Sequence, residues 1–442
     1  MYYTLFNPFW KRQNKEKGEF VMFKELHSNI RIRIYTSFFS RVIGSMIFPF
    51  MAIYFTNKLN ASVAGILLIL HVVVQFIAGL YGGYLADILG RKRLMVIGEA
   101  MKLLGFAVMI GANSPITSSA WITFLAMLII GVSSGFVNPA AEAMLIDVST
   151  KETRAFMYAI NYWAVNMSLM LGLIVGGWFF KTHLFELLIA LFVMTLVTLW
   201  MTAVLIEETL VGKKTVNKEY GVKALLKSYQ TVIKDFPFVL FTLGGIAILS
   251  LEFQRNNFIA VRLEDEIIPR TLEILTFSVT IDGIKLLSLL TVENTLMIVL
   301  FTGLASKLIK GRSERIIMYI GFILFGLGFA ILAFSTNILG LFLAVMILTV
   351  GELMYVPTRQ SLLADIVGDS RRGAYMAFNG FVFQIGKLFG ALGIIVGNII
   401  GGVGMGVIYL VFVLLGIYLS RAAIQKYQGI KHGKTAVITG GV

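Results

Sequence analysis

The chain has 442 residues, 57% of them hydrophobic and only 14% charged, with a mean hydropathy of +0.84, where a soluble domain carries about a quarter charged residues. The absence of cysteine excludes disulfides, thiolate metal sites and cysteine nucleophiles, and His27, His71, His183 and His432 are too scattered for a metal site. A formal net charge of +14 raises nucleic acid as a partner, but Lys and Arg gather in alternate loops between apolar runs, so the charge reports membrane topology and no nucleic-acid binding is expected.

Apolar runs of about 20 residues cross a bilayer. Twelve are predicted, near 34–57, 62–86, 94–112, 119–141, 157–180, 185–206, 238–261, 286–306, 315–335, 339–363, 374–398 and 402–420. The positive-inside rule places both termini in the cytoplasm. Residues 1–33 form a basic cytoplasmic segment without the apolar core of a signal peptide. Within it, "KEKGEFVM" at 15–22 suggests a purine-rich ribosome-binding tract just before Met22. Translation from Met22, with 1–21 a misassigned start, is one expectation; a basic juxtamembrane tail is the other.

The second run ends in "GYLADILGRKRLM" at 83–95, a cytoplasmic turn in which Gly83, Asp87, Gly90, Arg91, Lys92 and Arg93 recur at fixed spacing. Gly83 removes a side chain where another helix approaches, and Gly90 supplies a turn that a β-carbon resists. Asp87 sits at a helix end, able to pair with Arg91 or face the positive N-terminus of a neighbouring helix. The cations Arg91 to Arg93 alone satisfy the positive-inside rule; Asp87 and the glycine spacing call for a gate.

The stretch 138–161, "NPAAEAMLIDVSTKETRAFMYAIN", returns as "VPTRQSLLADIVGDSRRGAYMAFN" at 356–379. At one offset Pro139 meets Pro357, Asp147 meets Asp365, Arg154 meets Arg372, Asn161 meets Asn379, and Gly172 meets Gly390. The Asp147–Arg154 and Asp365–Arg372 pairs flank equivalent turns, as conformation-dependent latches or as local helix caps. The fifth run, "NMSLMLGLIVGGWFF", carries Ser168, Gly172, Gly176 and Gly177 as a small-residue face for close helix contact. The 83–95 turn has a degenerate echo at 303–318, with Lys307 in the aspartate position.

Two six-helix bundles are therefore expected, 34–206 and 238–420, joined by a basic linker at 207–237 with an amphipathic helix near 222–233, and followed by a cytoplasmic tail at 421–442. The expected fold class is an all-α membrane protein of twelve transmembrane helices in two pseudo-symmetric six-helix bundles.

The 83–95 motif and the parallel repeat resemble the major facilitator superfamily (MFS). "AGILLIL", "NYWAVNMS" and "GELMYVPTRQSLLAD" resemble its drug:proton antiporters, particularly the LmrP-type multidrug exporters of Gram-positive bacteria. The resemblance implies alternating access in a bacterial plasma membrane, with Asp87 meeting the eleventh helix to close the cytoplasmic side. The fifth-helix glycines resemble the antiporter signature Gly-Pro-x-x-Gly-Gly, with Leu173 in place of proline. Exporters of the LmrP type carry aspartates where Asn161 and Asn256 stand here, so proton coupling would rest on fewer groups.

Ionisable groups within the spans are the candidates for coupling and substrate binding. Glu352, well inside the tenth run, is either a proton site or a structural partner of Lys387 or Arg359. Glu252 and Arg255, one turn apart, either take part in coupling or neutralise each other; Glu142 is a relay or a partner of Arg41 or Lys102. Glu99 with Lys102 reads as a structural pair, and His71 as a hydrogen-bonded polar spot.

An enzyme is not expected. "HGKT" at 432–435 lacks the preceding P-loop glycine, with Gln428 in its place. Proton-coupled efflux of amphipathic or cationic compounds is the leading expectation, with the proton as coupling ion and no cofactor or metal. The alternative is carriage of a specific metabolite or small anion, left open by the interior cations Arg255, Arg359 and Lys387. The bilayer is the expected surrounding, and the protomer is expected to act as a monomer.

Overall fold

The structure, a computed structural model, describes residues 23, 26–210, 232–274, 277–309, 311–367, 375 and 379–439. Among them, ten helices are long and apolar enough to cross a membrane. In chain order the helices are α1 (Ser28–Ile47), α2 (Met51–Lys58), α3 (Ala61–Leu89), α4 (Arg91–Ala112), α5 (Ala120–Val148), α6 (Lys151–Phe179), α7 (Leu184–Trp200), α8 (Phe236–Glu252), α9 (Ala260–Glu266), α10 (Gly283–Ile309), α11 (Glu314–Phe334), α12 (Ile338–Val367) and α13 (Phe381–Thr439). The span Phe381–Gly429 bends at Gly401, whose φ of 70° is non-helical, and α6 contains the shorter apolar helix Trp163–Phe179. Among the described residues this is an all-α membrane protein, save for a hairpin, β1 (Arg270–Ile274) paired antiparallel with β2 (Phe277–Ile281), that hydropathy did not predict. The 1–21 segment, the linker helix near 222–233 and Arg372 lie outside the described residues, as does the Arg154 side chain.

Local chemistry sets the helix ends. Asn60 and Ser119 accept the backbone N–H of Val63 and Ile122 at the starts of α3 and α5. Asp235 accepts that of Phe238, with Pro237 in the first turn of α8, where its missing N–H costs nothing. The repeat prolines Pro139 and Pro357 both lie inside helices, α5 and α12. Two spans are broken at mid-length. α1 passes to α2 through the 3₁₀ turn Phe48–Phe50, and α8 passes to α9 through the π-helical Arg255–Ile259. Such breaks free backbone groups and are tolerated only beside a cavity or buried in protein.

Glycines allow the close helix contacts. A β-carbon on Gly172 would lie 2.2 Å from Ser45 Oγ on α1, and one on Gly390 would lie 2.7 Å from Phe253 Cβ beside α8. The two positions matched in the sequence repeat thus each seat one broken helix. Gly176 also faces α1, at Met46, but Gly177 turns 100° around the helix to meet Ser288 of α10. The small-residue face of α6 is therefore two faces, one toward α1 and one toward the second half of the chain.

Helices up to α7 pack mainly among themselves, as do those from α8 onward. α3 with α13, α6 with α10 and α2 with α9 join the two groups. Large apolar side chains such as Leu104, Trp121, Leu125, Leu300, Val403 and Leu414 are more than half exposed, which suits a lipid surround and would be a liability in water.

Candidate functional site

A cavity of about 720 Å³ lies between the two helix groups. α1 contributes Arg33, Ser37 and Arg41, α3 contributes His71 and Gln75, and α4 contributes Lys102 and Phe106. Asn138 and Glu142 reach it from α5 and Asn161 from α6, while the break after α8 brings Phe253, Asn256 and Asn257. Lys387 of α13 completes the wall, its Nζ donating to Gln75 Oε1 across the interface at 3.3 Å.

Of the expected coupling residues, Glu142, Asn161 and Asn256 line this cavity, whereas Glu352, Glu252 and Arg255 do not. Those three form a separate site between α8, α10 and α12. Asn294 Nδ2 donates to Glu352 Oε2 at 3.0 Å and to Thr349 Oγ1 at 2.9 Å, while Arg255 Nη1 donates to Asn294 Oδ1 at 2.9 Å. Glu252 and Glu352 lie within electrostatic reach of each other and of Arg255. The helical pairing of Glu252 with Arg255 does not form, because the chain passes into π-helical winding there: Ile259 N–H bonds to Gln254 O. That winding sends the guanidinium toward α10. Neither Lys387 nor Arg359 pairs with Glu352; Arg359 stacks on Phe241 at 5.3 Å. Asn294 was missed in the sequence because a neutral amide in an apolar helix gives no charge signal.

Glu142 makes no ion pair among the described residues, though Arg41 and Arg33 lie within its electrostatic reach. Lys102 is taken by Glu99 at 2.8 Å, and Thr198 Oγ1 also donates to Glu99 at 2.9 Å, a structural pair as expected. His71 packs against Gly131 and stacks on Phe48, with its Nδ1 unpartnered among the described residues.

At one end of the bundle the 83–95 turn is a charge network. Gly90 adopts φ 98°, and Arg91 bridges Asp87 at 2.5 Å and Asp147 at 3.4 Å while donating to Ala86 O at 2.7 Å. Asp87 thus pairs with Arg91; residues 368–374, before the expected eleventh helix, lie outside the described residues. Arg93 supplies charge to the same turn. Asp147 accepts from Thr209 Oγ1 as well, so its described partners are Arg91 and Thr209. Asp365 is exposed, and its carbonyl accepts from Tyr427 Oη.

The close approach expected of Gly83 belongs to its neighbour. A β-carbon on Gly82 would sit 2.2 Å from Gly135 O, whereas among the described residues one on Gly83 would find only Pro139 Cβ at 4.0 Å. Adjacent helical positions differ by 100° in direction, so Gly82 meets the α5 backbone head-on while Gly83 reaches only the edge of α5 at Pro139. In the echo, Gly303 meets nothing within 4 Å among the described residues, but Gly311 keeps a positive φ of 80°.

Glu208, at the start of the linker, was not singled out from the sequence. Its carboxylate accepts the backbone N–H of Arg91 at 2.9 Å and of Lys92 at 3.0 Å, capping the positive N-terminus of α4. Removing it with Glu208→Ala is expected to cost about 1–2 kcal/mol, the scale of a lost helix cap in a partly buried setting. Thermal unfolding in detergent followed by tryptophan fluorescence should show a midpoint lower by several degrees.

The family model described as "Major Facilitator Superfamily" matches residues 34–391 and 267–429. Over 380 residues the chain is 30% identical to a "Na(+), Li(+), K(+)/H(+) antiporter" of Planococcus maritimus, covering 84% of this chain and 90% of that one. It is 24% identical to the multidrug resistance protein MdtH of Yersinia enterocolitica, over 79% of this chain and 81% of that one. A solved POT family transporter in complex with 5-aminolevulinic acid shares the fold, with a TM-score of 0.71 at 15% identity, covering 92% of this chain and 98% of that chain. With the family model spanning most of the chain and the 83–95 signature network in place, the protein belongs to the major facilitator superfamily of membrane transporters.

Proposed function

We propose that the protein is a proton-coupled antiporter that exports amphipathic small molecules from a bacterial cell by alternating access. In this reading twelve spans form two six-helix halves, 34–206 and 238–420, with both termini in the cytoplasm. The observation that carries proton coupling is the charge balance of the second-half site, where Glu252 and Glu352 lie within electrostatic reach of each other and of one cation, Arg255, whose guanidinium bonds to Asn294. Two carboxylates cannot both remain ionised around a single cation in a protein interior without severe cost, so one holds a proton when the site is sealed. Opening the site lets that proton leave. The MFS relatives described as antiporter and as multidrug resistance protein support the same reading.

The halves meet along α3 and α13 and, at the end opposite the 83–95 turn, through an ion pair and a close helix contact. Lys181 pairs with Glu264, whose other oxygen accepts the Ile284 N–H at 3.1 Å, and Gly177 meets Ser288 nearby. The hydrogen bond to Glu264 raises the pKa of the Lys181 ammonium, so the pair survives neutral pH and is lost only as alkaline pH removes that proton. These contacts close the external side, leaving the cavity to face the cytoplasm. Lys181→Ala should shift the population outward. The chain has no cysteine, so a single cysteine introduced at Ser288 can be probed without background, and its labelling by an impermeant maleimide should rise several-fold.

Proton coupling is tested in proteoliposomes. An imposed pH gradient should drive accumulation of an amphipathic dye, and dye addition should in turn release protons recorded by entrapped pyranine. A pH gradient that moves no dye from a panel of anionic, neutral and cationic amphipaths overturns the reading. A second reading, alkali-cation/proton antiport, is favoured by Glu142 and Asn138 both lining the cavity, a set of oxygen donors. Under it, Na⁺, Li⁺ or K⁺ alone would collapse the gradient.

A further inference from the structure

We infer that the cavity binds an organic anion, an amphipath with a carboxylate, sulfonate or phosphonate group on an aromatic or aliphatic body, held between Arg33 and Arg41 of α1 and Lys387 of α13. The inference rests on the proposal that this cavity is the transport site, and it names the charge of what is carried.

Four cations line the wall, Arg33, Arg41, Lys102 and Lys387, against one carboxylate, Glu142. Lys102 is neutralised by Glu99 at 2.8 Å. The remaining three make no ion pair among the described residues, and Glu142, within reach of Arg41 and Arg33, offsets one of them. Two positive charges are left over on the cavity wall, and for the buried Arg33 an uncompensated charge is costly.

Their contacts are with neutral groups. Arg33 Nη1 donates to Thr36 Oγ1 at 3.2 Å, and Lys387 Nζ donates to the Gln75 amide oxygen at 3.3 Å. Three cations that share one carboxylate, Glu142, and otherwise bond to neutral acceptors are short of negative charge, and a bound anion supplies it. Phe48, Phe106 and Phe253 give the same cavity an apolar wall for the body of the ligand.

The placement also fits a carrier. Arg33 and Arg41 belong to the first half and Lys387 to the second, and all three line the one cavity. An anion between them attracts both halves and favours their closing around it. A cation would add to the surplus instead.

The test is equilibrium binding to the purified full-length protein in detergent, with no pH gradient, followed by fluorescence anisotropy. Carboxyfluorescein, an anion, should bind more tightly than ethidium, a cation. Lys387→Met should weaken carboxyfluorescein binding by about thirtyfold, the scale for truncating one member of a buried charge pair. Arg41→Gln should weaken it as well, and Lys387→Arg, which keeps the charge, should restore most of it, with gel filtration confirming folded variants. Tighter binding of ethidium, binding of neither dye, or carboxyfluorescein binding unaffected by Lys387→Met would each overturn the inference. The two readings fail separately. Anion binding without proton-driven flux sinks the coupling proposal alone, and proton-driven ethidium flux without anion binding sinks this one alone.

Discussion

Glu352→Gln is expected to reduce proton-driven transport by about a hundredfold or more, the scale for losing an essential proton carrier, while leaving the fold intact. Glutamine keeps the shape of glutamate, and its amide oxygen still accepts from Asn294 Nδ2, the bond that holds Glu352 at 3.0 Å. What it loses is the exchangeable proton. Arg255 then faces Glu252 alone, a balanced pair that has no reason to bind a proton. The separation of this site from the cavity sharpens the forecast. Substrate binding, measured with the same dye, should change little, and dye-for-dye exchange without a gradient should persist. Flux driven by an imposed pH gradient should vanish. Unchanged gradient-driven flux in Glu352→Gln would remove the site from the mechanism, and Glu142 would become the carboxylate to examine.

The second large effect is a contrast between neighbours. Gly82→Leu is expected to destabilise the protein by about 3 kcal/mol or more, the upper range for forcing side-chain volume into a packed contact. A β-carbon at Gly82 would lie 2.2 Å from Gly135 O and 3.0 Å from Phe136 Cα, backbone that cannot turn aside as a side chain does. The helices α3 and α5 would have to separate along their crossing. Among the described residues Gly83→Leu meets nothing nearer than Pro139 Cβ at 4.0 Å, and it should unfold near the native temperature. Detergent thermal melts of the two variants check this directly. A Gly83→Leu melt as low as that of Gly82→Leu would show that the signature glycine packs closely after all.

That contrast locates the limit of sequence reading. The spacing from Gly83 to Arg93 marked a charged turn and left Asp87 either to pair with Arg91 or to face a neighbouring helix; in the structure Arg91 bridges Asp87 across the Gly90 turn. It placed the close-packing glycine one residue too far along, because which direction a helix turns toward its neighbour is decided by the neighbour. Glu208 was illegible for a related reason. It lies 117 residues from Arg91, and only folding of the first half brings α4 to the end of α7.

The membrane class, the helical architecture and the family were legible from local properties: apolar run length, the sidedness of Lys and Arg, and a motif with a repeat. These depend on residues adjacent in the chain and on a solvent that admits few structures. The interior charges were legible as a set but not as an arrangement. From sequence, Glu352 ranks first as a proton site, Glu252, Arg255 and Glu142 stand behind it, and Arg359 and Lys387 enter as its alternative partners or as cations for an anion. Tertiary structure divided them. The π-helical turn after α8 sent Arg255 to Asn294, stacking took Arg359 to Phe241, and Lys387 was left with Arg33 and Arg41 on the cavity wall. Coulomb energy depends on distances between residues far apart in the chain, so which acid shares which cation, and what charge the cavity presents to a ligand, existed only once the helices had packed.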